Sequence, residues 1–275
     1  MTTQLPIVVI GGGTAGCTVV STLAAMTTQP IVLIEPGPSS VHDDEAAFFT
    51  VLSDEELSRE VQVTLVDGGS DQPYVQANVL GGGSAINGLL LTGDEPSFLS
   101  GLTRMATEAD CGQMATALLA ENGRFCRMWW NGGRWNPGRA VHHLVEEGRI
   151  SLVKQDAVLL TGDSDAVHEV HTEDSVIEAG HVVMCAGAIA TPMLLLSSGM
   201  GVVNPQIGVG LQDHPTIAFT MARLDSDRGV FDASVHLKGV TNSGGRFIVL
   251  AYERVSREVS SDALITVSLM SPTSR

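Results

Sequence analysis

The sequence predicts an α/β fold, with helices packed on a parallel sheet and a later portion built on antiparallel strands. Three observations predict it. A strand, a glycine cluster, a helix, a second strand and an acidic residue follow one another between Ile7 and Glu35. A second strand–turn–helix unit runs from Val182 to Gly199. After Pro215 the pattern shifts to alternating, strand-like segments. Alternation of strand and helix argues for a parallel sheet, and a run of strands for an antiparallel one.

Ile7-Val8-Val9-Ile10 is apolar and β-branched throughout, as a strand buried on both faces requires. It leads into Gly11-Gly12-Gly13-Thr14-Ala15-Gly16, a G-x-G-x-x-G match at Gly11, Gly13 and Gly16. Helical periodicity follows, with Ala15, Val19, Val20, Leu23 and Ala24 on one face, and Thr27 to Pro30 stop it. Ile31 to Ile34 form the next buried strand, and Glu35 closes it 19 residues past Gly16. The pattern fits a dinucleotide. Gly11 permits a tight turn, Gly13 lets backbone approach a pyrophosphate, and Gly16 lets helix and strand pack closely. The helix N-terminus presents N–H groups and its positive dipole end, and Glu35 can accept from a ribose diol.

Ser53-Asp54-Glu55-Glu56 before Leu57 has the form of a capping-box helix start, and Val61 to Val66 reads as a strand. Val79-Leu80-Gly81-Gly82-Gly83-Ser84-Ala85-Ile86-Asn87-Gly88 is a second glycine block, flanked tightly by apolar residues. Backbone passing close to a flat ligand, with Ser84 and Asn87 offering hydrogen bonds, explains it better than a linker does. A helical stretch near Met105 to Leu119 precedes Met128 to Trp135, which hold all three tryptophans, as a cap over the core or a pocket wall. Arg139 to Glu147 is helical. Its adjacent His142 and His143 cannot face one metal ion.

Strands are predicted at Ile150–Val153, Ala157–Thr161, Ala166–His171, Ser175–Glu178 and His181–Cys185. His168 and His171 point to opposite faces of theirs, so no metal site is read there. Val182 to Ala188 is a buried strand opening into a small-residue turn, on the same sheet as Ile7. Pro192 begins a helix that Gly199 closes. The antiparallel segments are Thr216–Arg223, Ala233–Lys238, Arg246–Tyr252 and Ala263–Met270.

The bulk numbers set bounds. The 275 residues suit one large domain or two, and 15 basic against 31 acidic residues give a net charge of −16. That charge argues against nucleic acid or an anionic membrane as partner. No apolar run approaches the ~20 residues of a membrane span, and no leader precedes the first strand. Cys17, Cys111, Cys126 and Cys185 form no C-x-x-C, so free thiols in a reducing cytoplasm are expected.

Together the blocks resemble the glucose–methanol–choline (GMC) family of FAD-dependent oxidoreductases. Gly11–Gly16 with Glu35-Pro36-Gly37 resembles its N-terminal FAD motif. Leu80–Gly88 resembles its first signature, with Gly83 where Ser is usual. Cys185–Gly199 resembles its second, with Thr191 for Ser and Met193 for Gln, and Gly208–Pro215 resembles the segment entering its substrate domain. The resemblance implies an α/β, Rossmann-like FAD-binding domain with an antiparallel-sheet substrate domain (α+β). Its parts are 1–93 and 137–215 for FAD, 94–136 as a shortened cap, and 216–275 as the start of the substrate domain.

It further implies that Gly11, Gly13, Thr14, Ala15 and Gly16 hold the FAD pyrophosphate and Glu35 the adenosine ribose. Gly82, Gly83, Ser84 and Asn87 would lie along pyrophosphate and isoalloxazine, and the backbone of Val158 would pair with adenine. Ala186 and Gly187 would pass near the dinucleotide, and Asp213 and His214 near the flavin. The implied chemistry is oxidation of a small-molecule alcohol, with hydride transfer to flavin N5. In the family Ser271–Arg275 continues into a part carrying the catalytic His, so no base is assigned in this chain. A separate C-terminal polypeptide or self-association is the expected compensating partner. Two other readings stay open: a non-catalytic FAD-binding short form and an NAD(P)-dependent dehydrogenase, which gives the second glycine block no role.

Overall fold

A computed structural model describes residues 4–43, 47–64, 68–87, 90–92, 125–127, 129–130, 133–213, 216–222, 235–240, 246–252 and 264–270. The helix expected at Met105 to Leu119, most of the expected cap, His214, and Leu65 and Val66 of one expected strand lie outside the described residues. The chain divides into two units, Met1–Asn87 with Asn136–Leu211, and Gly88–Trp135 with Gln212–Arg275.

The first unit opens with β1 (Ile7–Ile10), α1 (Thr14–Met26), β2 (Ile31–Ile34), α2 (Ala47–Leu52), β3 (Ser58–Val63), β4 (Gln72–Ala77) and α3 (Gly83–Ile86). The second unit then contributes β5 (Leu90–Thr92), β6 (Phe125–Arg127), β7 (Trp129–Trp130) and β8 (Gly133–Arg134). The first resumes with α4 (Gly138–Glu146), β9 (Ser151–Val153), β10 (Ala157–Gly162), β11 (Val167–Thr172), β12 (Val176–Glu178), β13 (His181–Met184) and α5 (Gly187–Ser197). The second ends with β14 (Thr216–Ala222), β15 (Val235–Val240), β16 (Arg246–Tyr252) and β17 (Leu264–Met270).

In the first unit a four-stranded parallel sheet runs in the order β13-β1-β2-β9, with Ile7 paired to both Ile31 and His181. All four residues of β1 are buried, because both sheet faces are covered. Alternate side chains go to opposite layers. Ile7, Val9, Ile31 and Leu33 share a core with Cys17, Val20 and Ala24 of α1 and Val141 of α4. Val8, Ile10 and Ile34 share the other with Leu160 and Val170 of the β10-β11-β12 meander and Leu194 of α5. The sheet is therefore sandwiched, and the ends of β1, β2 and β13 converge on the glycine loop.

Four expectations need correction. Ser53 to Leu57 is a turn, since the Asp54 side chain accepts from the Glu56 N–H at 2.9 Å and its carbonyl from the Leu57 N–H at 3.1 Å. The local side-chain bond outcompetes the helix. Ala15 is exposed; the buried face of α1 is Gly16, Cys17, Val20 and Ala24. Pro192 lies inside α5, which begins five residues earlier at Gly187. β13 is half-buried rather than buried, as the outer strand of its sheet. Gly199 does end α5 in the left-handed region, with φ 77°.

In the second unit β14-β17-β16-β15 form one antiparallel sheet, with Thr216 opposite Met270 and Val235 opposite Ala251. β5 pairs with β6 and β7 with β8, also antiparallel.

Candidate dinucleotide-binding site

The loop from β1 to α1 is built by glycines that the protein itself demands, except one. Gly11 has φ +99°, and a Cβ there would stand 2.5 Å from the Cys185 carbonyl oxygen and 2.6 Å from Ala186 Cα. A Cβ on Gly16 would collide with the Gly11 carbonyl oxygen. One on Gly12 would meet the Glu35 side chain at 2.9 Å. Gly13 differs. Its φ of −71° and ψ of −170° suit any residue, and a Cβ there would meet no atom of the described residues within 4 Å. Gly13 is the N-cap residue of α1 and, having no side chain, offers that helix end no cap of its own. Among the described residues, neither backbone strain nor packing requires a glycine here.

Glu35, at the end of β2, is 7% exposed. One carboxylate oxygen accepts from the Gly12 N–H at 2.6 Å and the other from the Gly37 N–H at 3.0 Å. Burial pushes its pKa up, against the two amide bonds and the Arg59 charge, which favour the ionised form. The Glu35 N–H donates to Val153 at 3.0 Å, tying the acid to β9.

The second glycine block closes on the first. The Gly81 N–H donates to the Gly12 carbonyl at 2.8 Å, and the Thr14 hydroxyl donates to the Gly81 carbonyl at 3.0 Å. Thr14 and Ser84 hydroxyls share a bond of 2.6 Å, and a Cβ on Gly82 would lie 2.8 Å from Gly13 Cα. Gly81 and Gly82 have φ of +90° and +48°. Ser84 is buried, so its hydroxyl serves the Thr14 contact. At Gly83, as at Gly13, a Cβ would meet no atom of the described residues within 4 Å. Asn87 follows α3 as its extended C-cap.

Ala186 and Gly187 open α5 beside Gly11, with Gly187 at φ +84°. Val158 lies on β10 where the register with β11 skips from Ala157 to Leu159, and its carbonyl accepts from Ser197 at 3.3 Å. Asp213 is exposed in the segment after α5. The structure thus joins Gly11–Gly16, Glu35, Gly81–Ser84 and Ala186, and places Val158 and Asp213 on other segments.

Three further features escaped the sequence reading. Asn136 is buried; its side chain accepts from the Gly138 N–H at 2.9 Å and donates to the His42 carbonyl at 3.1 Å, and it fills the space beside Gly81. The Asn-Pro-Gly triplet was the available signal, a side-chain turn before a helix. The Cys17 thiol donates to the Gly12 carbonyl at 3.0 Å, and burial pushes its pKa up to about 12, so it packs as a neutral thiol. Arg59 grips Asp156 near Glu35, a pairing with no local signal. His142 and His143 both approach Glu146 at 3.4 Å, and His168 meets Asp163 at 2.8 Å. No group of three metal-ligating side chains occurs among the described residues. No helix among them is long and apolar enough to cross a membrane.

Residues 154–216 match the family model described as GMC oxidoreductase. Among curated proteins, an alcohol dehydrogenase [acceptor] of Pseudomonas putida is 26% identical over 114 residues, covering 34% of this chain and 21% of that protein. The match therefore spans about a fifth of the relative's length. Among solved structures, pyridoxine 4-oxidase from Mesorbium loti has 16% identity and a TM-score of 0.67, over 98% of this chain and 71% of that one. A variant of formate oxidase from Aspergillus oryzae RIB40, studied for FAD modification, has 15% identity and a TM-score of 0.67, over 100% and 74%. These likenesses show the Rossmann-like FAD-binding fold of the GMC oxidoreductases, the family that the four sequence motifs resemble.

Proposed function

We propose that this GMC-type chain is the FAD-binding portion of an oxidoreductase acting on the CH–OH group of an alcohol. The observation that carries the reading is Gly13, a glycine at the start of α1 that neither its backbone angles nor any atom of the described residues requires. The residues present fit FAD. Gly13, Thr14, Ala15 and Gly16 offer amides and a positive helix end to a pyrophosphate. Glu35 offers a buried acceptor to a ribose diol, and open Gly83 leaves room for a flat ring system. Thr14, bonded to Gly81 and Ser84, and the Gly81 N–H on the Gly12 carbonyl hold the two glycine blocks together, so the cradle is formed before a ligand arrives.

Held by these residues, FAD would supply the redox chemistry of the reaction, as a hydride acceptor. The chain's own part is to bind the pyrophosphate, orient the ribose through Glu35 and keep the two blocks in register. The alcohol proton needs a base within hydrogen-bond reach of the hydroxyl. The reading assigns that role to the segment following the Ser271–Arg275 stretch in relatives, not to any histidine described above. The divisions 1–93 with 137–215 for FAD, 94–136 as a cap and 216–275 for substrate belong to this reading. So do a reducing cytoplasm around the Cys17 and Cys185 thiols and a separate C-terminal polypeptide as partner.

The test is flavin absorbance of protein expressed from the whole reading frame, followed by its alcohol-dependent bleaching without oxygen. Stoichiometric FAD that bleaches with an alcohol is expected. A folded protein that binds NAD(P) and no flavin overturns the reading, and flavin that no alcohol bleaches reduces it to a non-catalytic FAD protein.

A further inference from the structure

Asn136 is buried against the second glycine block, and its amide stands where a Gly81 side chain would stand. A Cβ on Gly81 would overlap the Asn136 Oδ1, and one on Gly138 would meet the Leu80 carbonyl at 2.8 Å and the same Oδ1 at 3.0 Å. The triplet Asn136-Pro137-Gly138 suits this place. Asn136 accepts from the Gly138 N–H at 2.9 Å, a side-chain turn that starts α4. Pro137 has φ −67°, the angle its ring fixes. Gly138 lets the first residue of α4 close on the Leu80 backbone.

Starting a helix needs only the Oδ1 of Asn136. The other end of the amide faces away from α4: Nδ2 donates to the His42 carbonyl at 3.1 Å and stands 3.5 Å from the Leu80 carbonyl. Leu80 and Gly81 run between two other segments, Leu80 bridged in parallel to Val41 and Gly81 to Gly13. Arg139, on the first turn of α4, holds the first of these segments as well, donating from Nε to Asp43 at 2.7 Å. With three glycines in a row, Gly81 to Gly83, the block has no side chain of its own to fix its path. The Asn136 amide supplies that packing from outside the block.

We propose that Asn136 is a positioning residue for the flavin end of the dinucleotide. It sets the path of residues 80–83, and with it the fit of that block along the isoalloxazine, acting through Gly81 rather than on the ligand. The inference rests on the reading of this chain as FAD-binding. In that reading Gly13, the α1 amides and Glu35 hold the ADP half, so a loosened second block penalises FAD and largely spares ADP.

The test titrates apoprotein from the whole reading frame with FAD and with ADP, for wild type, Asn136→Ser and Asn136→Ala. A serine hydroxyl accepts a helix-start amide as asparagine does, yet it is too short to fill the space beside Gly81. Asn136→Ser is therefore expected to fold, to bind FAD about tenfold more weakly and to weaken ADP less than about threefold. The visible circular dichroism of the bound flavin should change, because the backbone along the ring has shifted. Asn136→Ala loses the turn as well and should show the same difference between FAD and ADP with a lower melting temperature.

Wild-type FAD affinity in Asn136→Ser would mean that Asn136 only starts α4, and equal loss of FAD and ADP that it only supports the fold; either overturns the proposal. A parallel readout needs no cofactor. In the apoprotein the Gly81 N–H bonds the Gly12 carbonyl at 2.8 Å and the Ser84 N–H bonds the Gly81 carbonyl at 3.0 Å. Amide hydrogen exchange over residues 79–85 should quicken in Asn136→Ser while β1 stays protected. That quickening in a protein whose wild type binds no FAD would defeat the FAD reading alone. FAD bound equally by wild type and Asn136→Ser, with unchanged exchange, would defeat this proposal alone.

Discussion

At the scale of single residues, the glycines separate into two kinds, and a methyl group tells them apart. Gly16→Ala forces a Cβ onto the Gly11 carbonyl and should cost about 1–3 kcal/mol of stability, read from the denaturation midpoint. Gly13→Val meets open space with ordinary dihedrals, so its stability should stay within about 1 kcal/mol of wild type while flavin absorbance is lost. A folded Gly13→Val protein with full flavin content would remove Gly13 from the site. Glu35→Ala should weaken FAD by about 1.5–3 kcal/mol, roughly 10- to 150-fold in Kd, through lost charge-assisted bonds.

The pH dependence of the apoprotein follows from the same residue. Burial raises the folded pKa of Glu35 above its unfolded value. Its contribution is fully present below the ordinary glutamate range and is lost as pH rises through the raised value. Glu35→Gln should flatten that fall in melting temperature.

At the scale of elements, β2 and α5 show what packing adds to pattern. Leu33 is fully buried between the sheet and α1, and Leu33→Ala should cost about 2–5 kcal/mol, read by chemical denaturation. α5 runs through Pro192 and stops at Gly199, whose φ of 77° a side chain resists. Gly199→Ala should cost about 1 kcal/mol despite open space around that position, because the strain is in the backbone. β13 completes the parallel sheet only through β1, and its half-buried side chains reflect its outer place.

At the scale of the whole molecule, charge and apolar surface matter more than any one contact. A net charge of −16 repels an anionic dinucleotide at a distance. The association rate of FAD should therefore rise with added salt in stopped-flow fluorescence, as screening shortens the reach of that repulsion. A rate that falls with salt would show a local positive field at the helix end outweighing the net charge. Val202, Val203, Val209 and Leu211 are exposed close together in sequence, with Val202 at 92%. Apolar surface of this kind favours association, so Val202→Ser with Val203→Ser should lower any self-association read by sedimentation velocity.

The sequence by itself determined the repeating local physics: β-branched runs for buried strands, period-3.6 apolar faces for α1 and α4, and the glycine spacing of the first loop. It also announced a second glycine block and an antiparallel portion after Pro215, because these signals lie within a few residues of one another. It misjudged Ser53–Leu57, Ala15 and the start of α5, where side-chain hydrogen bonding, exposure and neighbouring turns decide the outcome. Only the tertiary structure decided which glycines the protein needs for itself and which it leaves open. It alone joined Thr14 to Ser84, set Asn136 under Gly81 and paired Arg59 with Asp156. Such contacts link residues far apart in the chain, with separations of 70 for Thr14–Ser84 and 97 for Arg59–Asp156. Periodicity carries no information over that range; the closing of the β13-β1-β2-β9 sheet does, because it fixes which loop ends meet.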